Sequence, residues 1–343
     1  MSIAPEMAPP RAGRRRGRVA LVSAGLGAGA VLLFLANVLL GSYSVSLPDF
    51  FAILAGETVP GASFIVMEDR LPAAVVGALA GAAYGLSGSI FQTLLRNPLA
   101  SPDVIGIGYG AAAAAVVGML VFGLQGPALA LVAFTGALAV ALAVYWLADS
   151  GRHTGARMVL TGIAFAAMLQ AVISYLLTRT DVRTAGDALH WLVGSLSSSN
   201  WERAATLAAA VAVLLPFAAL AGSKLRILEL GDDAAAGLGL RVGRTRLGLV
   251  LLGVAFTAVA TAVTGPLAFV AFLAGPLARM LAGGRNNLAC SALTGTVLVL
   301  AANFVAGNAF GDTSLPVGVV TGALGAPFLL WLLVRTNKTG TGG

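Results

Sequence analysis

The residues best equipped for chemistry are crowded into one stretch of an otherwise apolar chain. Lys224–Arg246 (KLRILELGDDAAAGLGLRVGRTR) carries Lys224, Arg226, Arg241, Arg244 and Arg246 beside Glu229, Asp232 and Asp233, where only 10% of the chain is charged. A short helix is predicted between the charges. Gly231-Asp232 can begin it, because an Asp side chain accepts from the free N–H groups of a first turn. Ala234-Ala235-Ala236 favours helix, Leu230, Ala234 and Leu238 recur on one face, and Gly237 and Gly239 can end it. So short a helix is marginal alone and needs a surface to pack on. Pattern alone leaves two readings: a docking helix, or a solvated loop between two membrane spans.

Other chemistries find little support. The sequence has no G-x-x-x-x-G-K-[ST] phosphate loop, so hydrolysis of ATP by that route is not expected of this chain. The two His residues lie 37 positions apart and form no metal-ligand cluster,. Cys290 is the single Cys and sits in an apolar run, where it reads as a small buried apolar residue. Gly106, Gly108 and Gly110 follow a Pro-broken loop and read as helix packing, not as a nucleotide site. No catalytic residue, metal or bound cofactor is expected. The net charge of +7 does not point to nucleic acid, because the basic residues lie at the ends of apolar runs and not on one soluble face.

The elements that must position these residues are membrane spans. The chain has 343 residues and is 58% hydrophobic, and uncharged runs of 18 or more read as transmembrane helices. A basic arm, residues 1–18, precedes an uncharged anchor, Val19–Leu40. The predicted spans lie at about 19–40, 71–95, 104–122, 127–148, 158–178, 204–222, 247–265, 266–281, 288–309 and 315–334, with a tail at 335–343,. Gly77, Gly81 and Gly85 form a small-xxx-small face on the second. Gly123–Pro127 divides the 45 uncharged residues of Val104–Ala148. SLPDFFAIL and HWLVGSL read as short helices at the surface. The 32 uncharged residues Leu247–Ala278 fit one span or two. Splitting them at Gly265-Pro266 places 17 Lys and Arg residues on the side of both termini and only Arg70, Arg179, Arg183 and Arg203 opposite. That bias favours ten spans with both termini cytoplasmic. The count also gives the two halves opposite orientations, as in inverted-repeat transporters. No ionisable residue lies mid-span, which argues against a proton relay; an ion-coupled carrier using backbone carbonyls stays open. Such a chain has no engine of its own and borrows energy from a partner.

Several segments together resemble the family of ABC importer permeases for iron–siderophore complexes, haem and cobalamin. These are Arg70-Leu71-Pro72, SGSIFQTLLRNPLASPDVIGIGYGA (Ser87–Ala111), His190–Leu196 with Trp201, LELGDDAAAGLG (Leu228–Gly239), GPLAFVAFLAGPLAR (Gly265–Arg279) and LPVGVVTGALGAPFLLWLL (Leu315–Leu333). The resemblance implies an all-α polytopic fold of ten transmembrane helices, that of a type II ABC importer permease with an inverted repeat. It makes Leu228, Leu230, Gly231, Asp232, Asp233, Ala234, Leu238 and Gly239 the segment that couples to a separate ATPase. Asp232 and Asp233 would cap its helix and meet the ATPase, while Leu230, Ala234 and Leu238 would enter the ATPase cleft. Arg70 would receive an acidic group of an extracytoplasmic binding protein; read alone, it suits an interfacial anchor. Arg96, Asn97, Pro98, Pro102, Gly106, Pro276 and Arg279 fall on the family's structural motifs.

The resemblance also implies two ATPase copies, a second permease chain and placement in the bacterial inner membrane. The cargo would be a ferric siderophore, closest to the catecholate, enterobactin type; cobalamin, haem or another chelate is the alternative. The chain departs from the family at Ala73, Leu277, Gly307 and Ser314. Because it offers one matching docking Arg, a heterodimer is expected.

Overall fold

The computed structural model describes residues 12–148, 154–311 and 313–340; most of the N-terminal arm and the last three residues fall outside these. Every regular element among the described residues is helical. In order they are α1 (Ala12–Leu39), α2 (Leu47–Leu54), α3 (Ala62–Phe64) running through a π-helical turn (Ile65–Arg70) into α4 (Leu71–Leu94), α5 (Ile107–Phe122), α6 (Gly126–Ala148) and α7 (Thr154–Arg179). Then come α8 (Val182–Val193), α9 (Trp201–Leu228), α10 (Asp232–Gly237), α11 (Val242–Thr264), α12 (Val270–Leu281), α13 (Leu288–Asn308) and α14 (Val317–Gly340).

Seven helical segments are long and apolar enough to cross a membrane: Gly17–Leu39, Ala62–Leu94, Gly126–Ala148, Arg157–Arg179, Trp201–Leu228, Val242–Thr264 and Leu288–Asn308. Three shorter apolar helices accompany them, Ile107–Phe122, Val270–Leu281 and Val317–Leu332. Two limits differ from expectation. Helix α1 starts at Ala12, inside the basic arm, because arginine is itself a good helix former; α14 runs on to Gly340, through most of the expected tail.

Helix α4 is the axis of the bundle. It packs on α13, α11, α12 and α9. Its glycines make this possible. A Cβ on Gly81 would lie 2.5 Å from the Gly295 carbonyl oxygen of α13, and one on Gly85 would collide with that of Ser291. The backbones therefore touch, as small residues permit where lipid offers no hydrophobic drive. Gly110 of α5 and Gly136 of α6 approach each other in the same way, so the GIGYG run serves packing.

Helices α11 and α12 are separated by unwound backbone at 265–269 inside the bundle, ahead of a 12-residue helix about 18 Å long,. Unpaired backbone groups are costly at membrane depth. The buried Tyr84 hydroxyl answers them: it donates to the Gly265 carbonyl (3.1 Å), accepts from Leu267 N–H (3.4 Å) and bonds Thr261 Oγ1 (2.8 Å). The turn after α8 closes the gap, since Ser195 N–H donates to the Thr264 carbonyl at 2.8 Å and Gly318 N–H to that of Gly194 at 3.1 Å. HWLVGSL is thus only half helix. Its Gly194-Ser195-Leu196 leaves the surface, and Leu196 is 1% exposed.

Candidate functional site

At one end of the bundle α10 lies between the end of α9 and the start of α11 and packs on both. The six-residue helix starts from Gly231 (φ 116°) with no side-chain cap. The expected Asp232 cap is replaced by something else. Arg246 Nη2 donates to Asp232 Oδ2 at 2.9 Å, and Arg96 Nη2 donates to Asp232 Oδ1 at 3.0 Å and to the Leu228 carbonyl at 2.8 Å. A carboxylate claimed by two guanidinium groups outside the helix is not free to turn back on its first N–H groups. The Asp232 side chain is 48% exposed, so each pair is worth only ~0–1 kcal/mol. Their effect is positional: three segments meet at one carboxylate.

The rest of α10 faces outward. Leu230 and Leu238 are 66% and 65% exposed, and Asp233, Ala234 and Gly239 are exposed beside them. Ala235 is fully buried and seats the helix. Leu228 is buried at the end of α9, where its carbonyl anchors Arg96. The arrangement offers two apolar knobs and a free carboxylate on a pinned helix, a contact surface with no reacting group.

Arg96 reaches Asp232 because of how α4 ends. Arg96 N–H donates to the Thr93 carbonyl and Asn97 N–H to that of Gln92, a Schellman closure with Arg96 at the left-handed position (φ 49°). Glycine usually fills that place; a side chain there costs ~1 kcal/mol or more. The following loop is locally built. Asn97 Oδ1 accepts from Leu99 N–H at 2.9 Å, which Pro98, lacking an N–H, cannot contest. The Pro102 carbonyl accepts from Ile107 N–H at 3.1 Å. Gly106 (φ 81°) has room for no side chain, because a Cβ would lie 2.7 Å from the Gly162 carbonyl of α7. Between them Asp103 sets Oδ1 against Gly108 in the first turn of α5, while Oδ2 is enclosed without a partner. Burial pushes this carboxyl up to about 6.

Pro276 explains a residue that sequence reasoning missed. Lying inside α12, it has no N–H for the Phe272 carbonyl four residues back. Gln92 of α4 supplies the donor, Nε2 to the Phe272 oxygen at 3.1 Å, and its amide lies against Gly275. A buried Gln in an apolar helix, facing a Pro-containing helix, is the signal that could have found it. Arg279 follows one turn later; its Nε is enclosed without a partner, and the opposite charge acting on it is Glu229.

Arg70 lies at the opposite end, at the close of the π-helical turn. It lines a polar cavity of about 370 Å³ with Asn37, Asp69, Asn303 and Asn308. Its Nη1 donates to the Val38 carbonyl at 3.3 Å, and its guanidinium lies against Gly41. It is therefore half-held by its own chain. The two groups of candidate residues occupy opposite ends, joined by α4.

The FecCD transport family matches residues 3–335. The chain belongs to that family. Like its other members, it is a non-catalytic permease component. It is 40% identical over 299 residues to the ferric enterobactin transport system permease protein of Escherichia coli (strain K12), covering 87% of this chain and 91% of the relative. It is 37% identical to the achromobactin transport system permease protein of Dickeya dadantii (strain 3937), covering 95% of each. The fold is similar, at a TM-score of 0.80 and 24% identity, to a solved inward-facing conformation of a metal-chelate type ABC transporter, covering 92% of this chain and 99% of that one.

Proposed function

We propose that this FecCD-family permease is the membrane subunit of an ABC importer that carries a metal chelate across the bacterial cytoplasmic membrane. It crosses the membrane ten times with both termini cytoplasmic. The seven long and three shorter apolar helices supply the crossings, and the excess of Lys and Arg at the α10 end supports the orientation. The cargo is a ferric siderophore of the catecholate, enterobactin-like type, a reading supported by the 40% identity to the enterobactin permease. Two ATPase subunits dock at α10, a binding protein delivers the chelate at the Arg70 end, and a second, different permease chain completes the path. The chain binds no cofactor itself; ATP is consumed by the partner, and the path opens alternately to the two sides.

The observation that carries this reading is the pinned, outward-facing α10. Leu230 and Leu238 enter an ATPase cleft, and Asp232, tied to Arg96 and Arg246, passes the ATPase movement to α4 and α11. In reconstituted transporter, Leu230→Asp with Leu238→Asp abolishes ATPase co-purification while the permease still inserts. Asp232→Ala keeps the ATPase bound but lowers chelate transported per ATP hydrolysed. Full transport by both variants would sink the assignment.

A further inference from the structure

Besides the two ends already assigned, the bundle has a crevice of about 820 Å³ between α9 and the start of α13, with Leu86 of α4 on its floor and Val19 of α1 at its edge. Arg226 and Arg285 stand at its α10 end, and Leu215 and Leu293 line it further up. Arg226 and Leu215 are eleven residues apart on one helix, so the crevice runs about 16 Å along α9. That is about the depth of one leaflet of the hydrocarbon core. Leu215 in its wall is 48% exposed and Ala219, one turn nearer the mouth, is exposed too, so the apolar length of the crevice is open along its side and not only at its charged mouth.

Its mouth carries two cations against one carboxylate. Arg285 is exposed and makes no hydrogen bond or ion pair among the described residues. Arg226 commits Nε to the Gly222 carbonyl at 3.1 Å, and its terminal nitrogens have no partner there. The N-terminus of α13, at Leu288, adds the positive end of its dipole,. Arg18, bonded through Nε to the Leu281 carbonyl at 3.1 Å, stands next to Val19. The one carboxylate lining the crevice, Glu229, is within electrostatic reach of Arg279.

We infer that this crevice holds one anionic phospholipid of the cytoplasmic leaflet, its phosphate between Arg226 and Arg285 and an acyl chain along Leu215, Leu86 and Leu293. A basic mouth above an apolar slot of leaflet depth is the chemistry that such a lipid fits. The leaflet rests on the orientation proposed above; the lipid site does not.

The test uses the full chain in nanodiscs of mixed phosphatidylglycerol and phosphatidylcholine, with retained lipid read by native mass spectrometry. The wild type keeps one phosphatidylglycerol with a preference on the order of tenfold, as two arginines near a lipid phosphate supply. Arg226→Gln with Arg285→Gln loses that preference; Arg241→Gln with Arg244→Gln, equal in lost charge, keeps it. Equal retention of both lipids by the wild type, or equal loss in the two double variants, overturns the site. A photoactivatable phosphatidylglycerol on the wild type needs no variant: its crosslinks fall on α9 and the start of α13, and crosslinks spread over all helices refute the proposal. Lys224→Cys reacts with an impermeant maleimide only in inside-out vesicles. Reaction from the outside instead overturns the leaflet, while the lipid preference is read separately.

Discussion

Gln92 and Arg70 show how much a single side chain can decide. Gln92 meets a need created by Pro276, so Gln92→Leu leaves the Phe272 carbonyl buried and unpaired. A cost of ~1–3 kcal/mol is expected, seen as a lower thermal midpoint of the purified permease; an unchanged midpoint would mean that Phe272 finds another donor. Arg70 is tested through its charge. Arg70→Glu weakens capture of the binding protein at low salt, and the difference from wild type shrinks as salt rises. Equal capture at low salt would assign Arg70 only to its contact with Val38. Neither partner was legible from sequence. Asp232 looked like a helix cap because Gly231 precedes it and Ala234–Ala236 follow close behind, yet Arg96, 136 residues away, claims it. Local pattern reports local bonds, and only the fold brings Arg96 there.

At the scale of elements, the helix breaks at Gly123–Pro127 and Gly265-Pro266 could be read in advance because glycine and proline interrupt helix through the backbone itself. The burial of Gly194–Leu196 could not, since it depends on Thr264 and Gly318 from distant helices. The loop between α4 and α5 carries a consequence of the same kind. Its Asp103 has a folded-state pKa near 6 against an ordinary 3.8. With the folded value raised, the native state holds an extra proton between these limits. The contribution of Asp103 to stability is therefore greatest below the unfolded value and falls as pH rises from about 4 to about 6,. Thermal unfolding in detergent across that window should show the decline in wild type and a flatter profile in Asp103→Asn. Identical slopes would mean that the free N–H groups at the start of α5 already hold the carboxylate ionised.

For the whole molecule, the two ends ask for different partners. The α10 end exposes two leucines on a pinned helix, the docking surface proposed above, whereas the Arg70 end offers a single guanidinium, half-held by Val38. This asymmetry supports pairing with a second, different permease. Co-expression with a candidate partner permease should yield a mixed dimer that captures the binding protein more tightly than this chain alone; equal capture by this chain alone would favour a homodimer. What links the ends is α4, 24 residues and about 36 Å long,. Meshed with α13 at Gly81 and Gly85, it cannot slide by fractions of a residue without backbone collision. The close backbone contact favours movement of the pair as one body, with Arg96 just past one tip of α4 and Arg70 just before the other. In the proposed importer, a push delivered at α10 would reach the far face as a tilt of this pair.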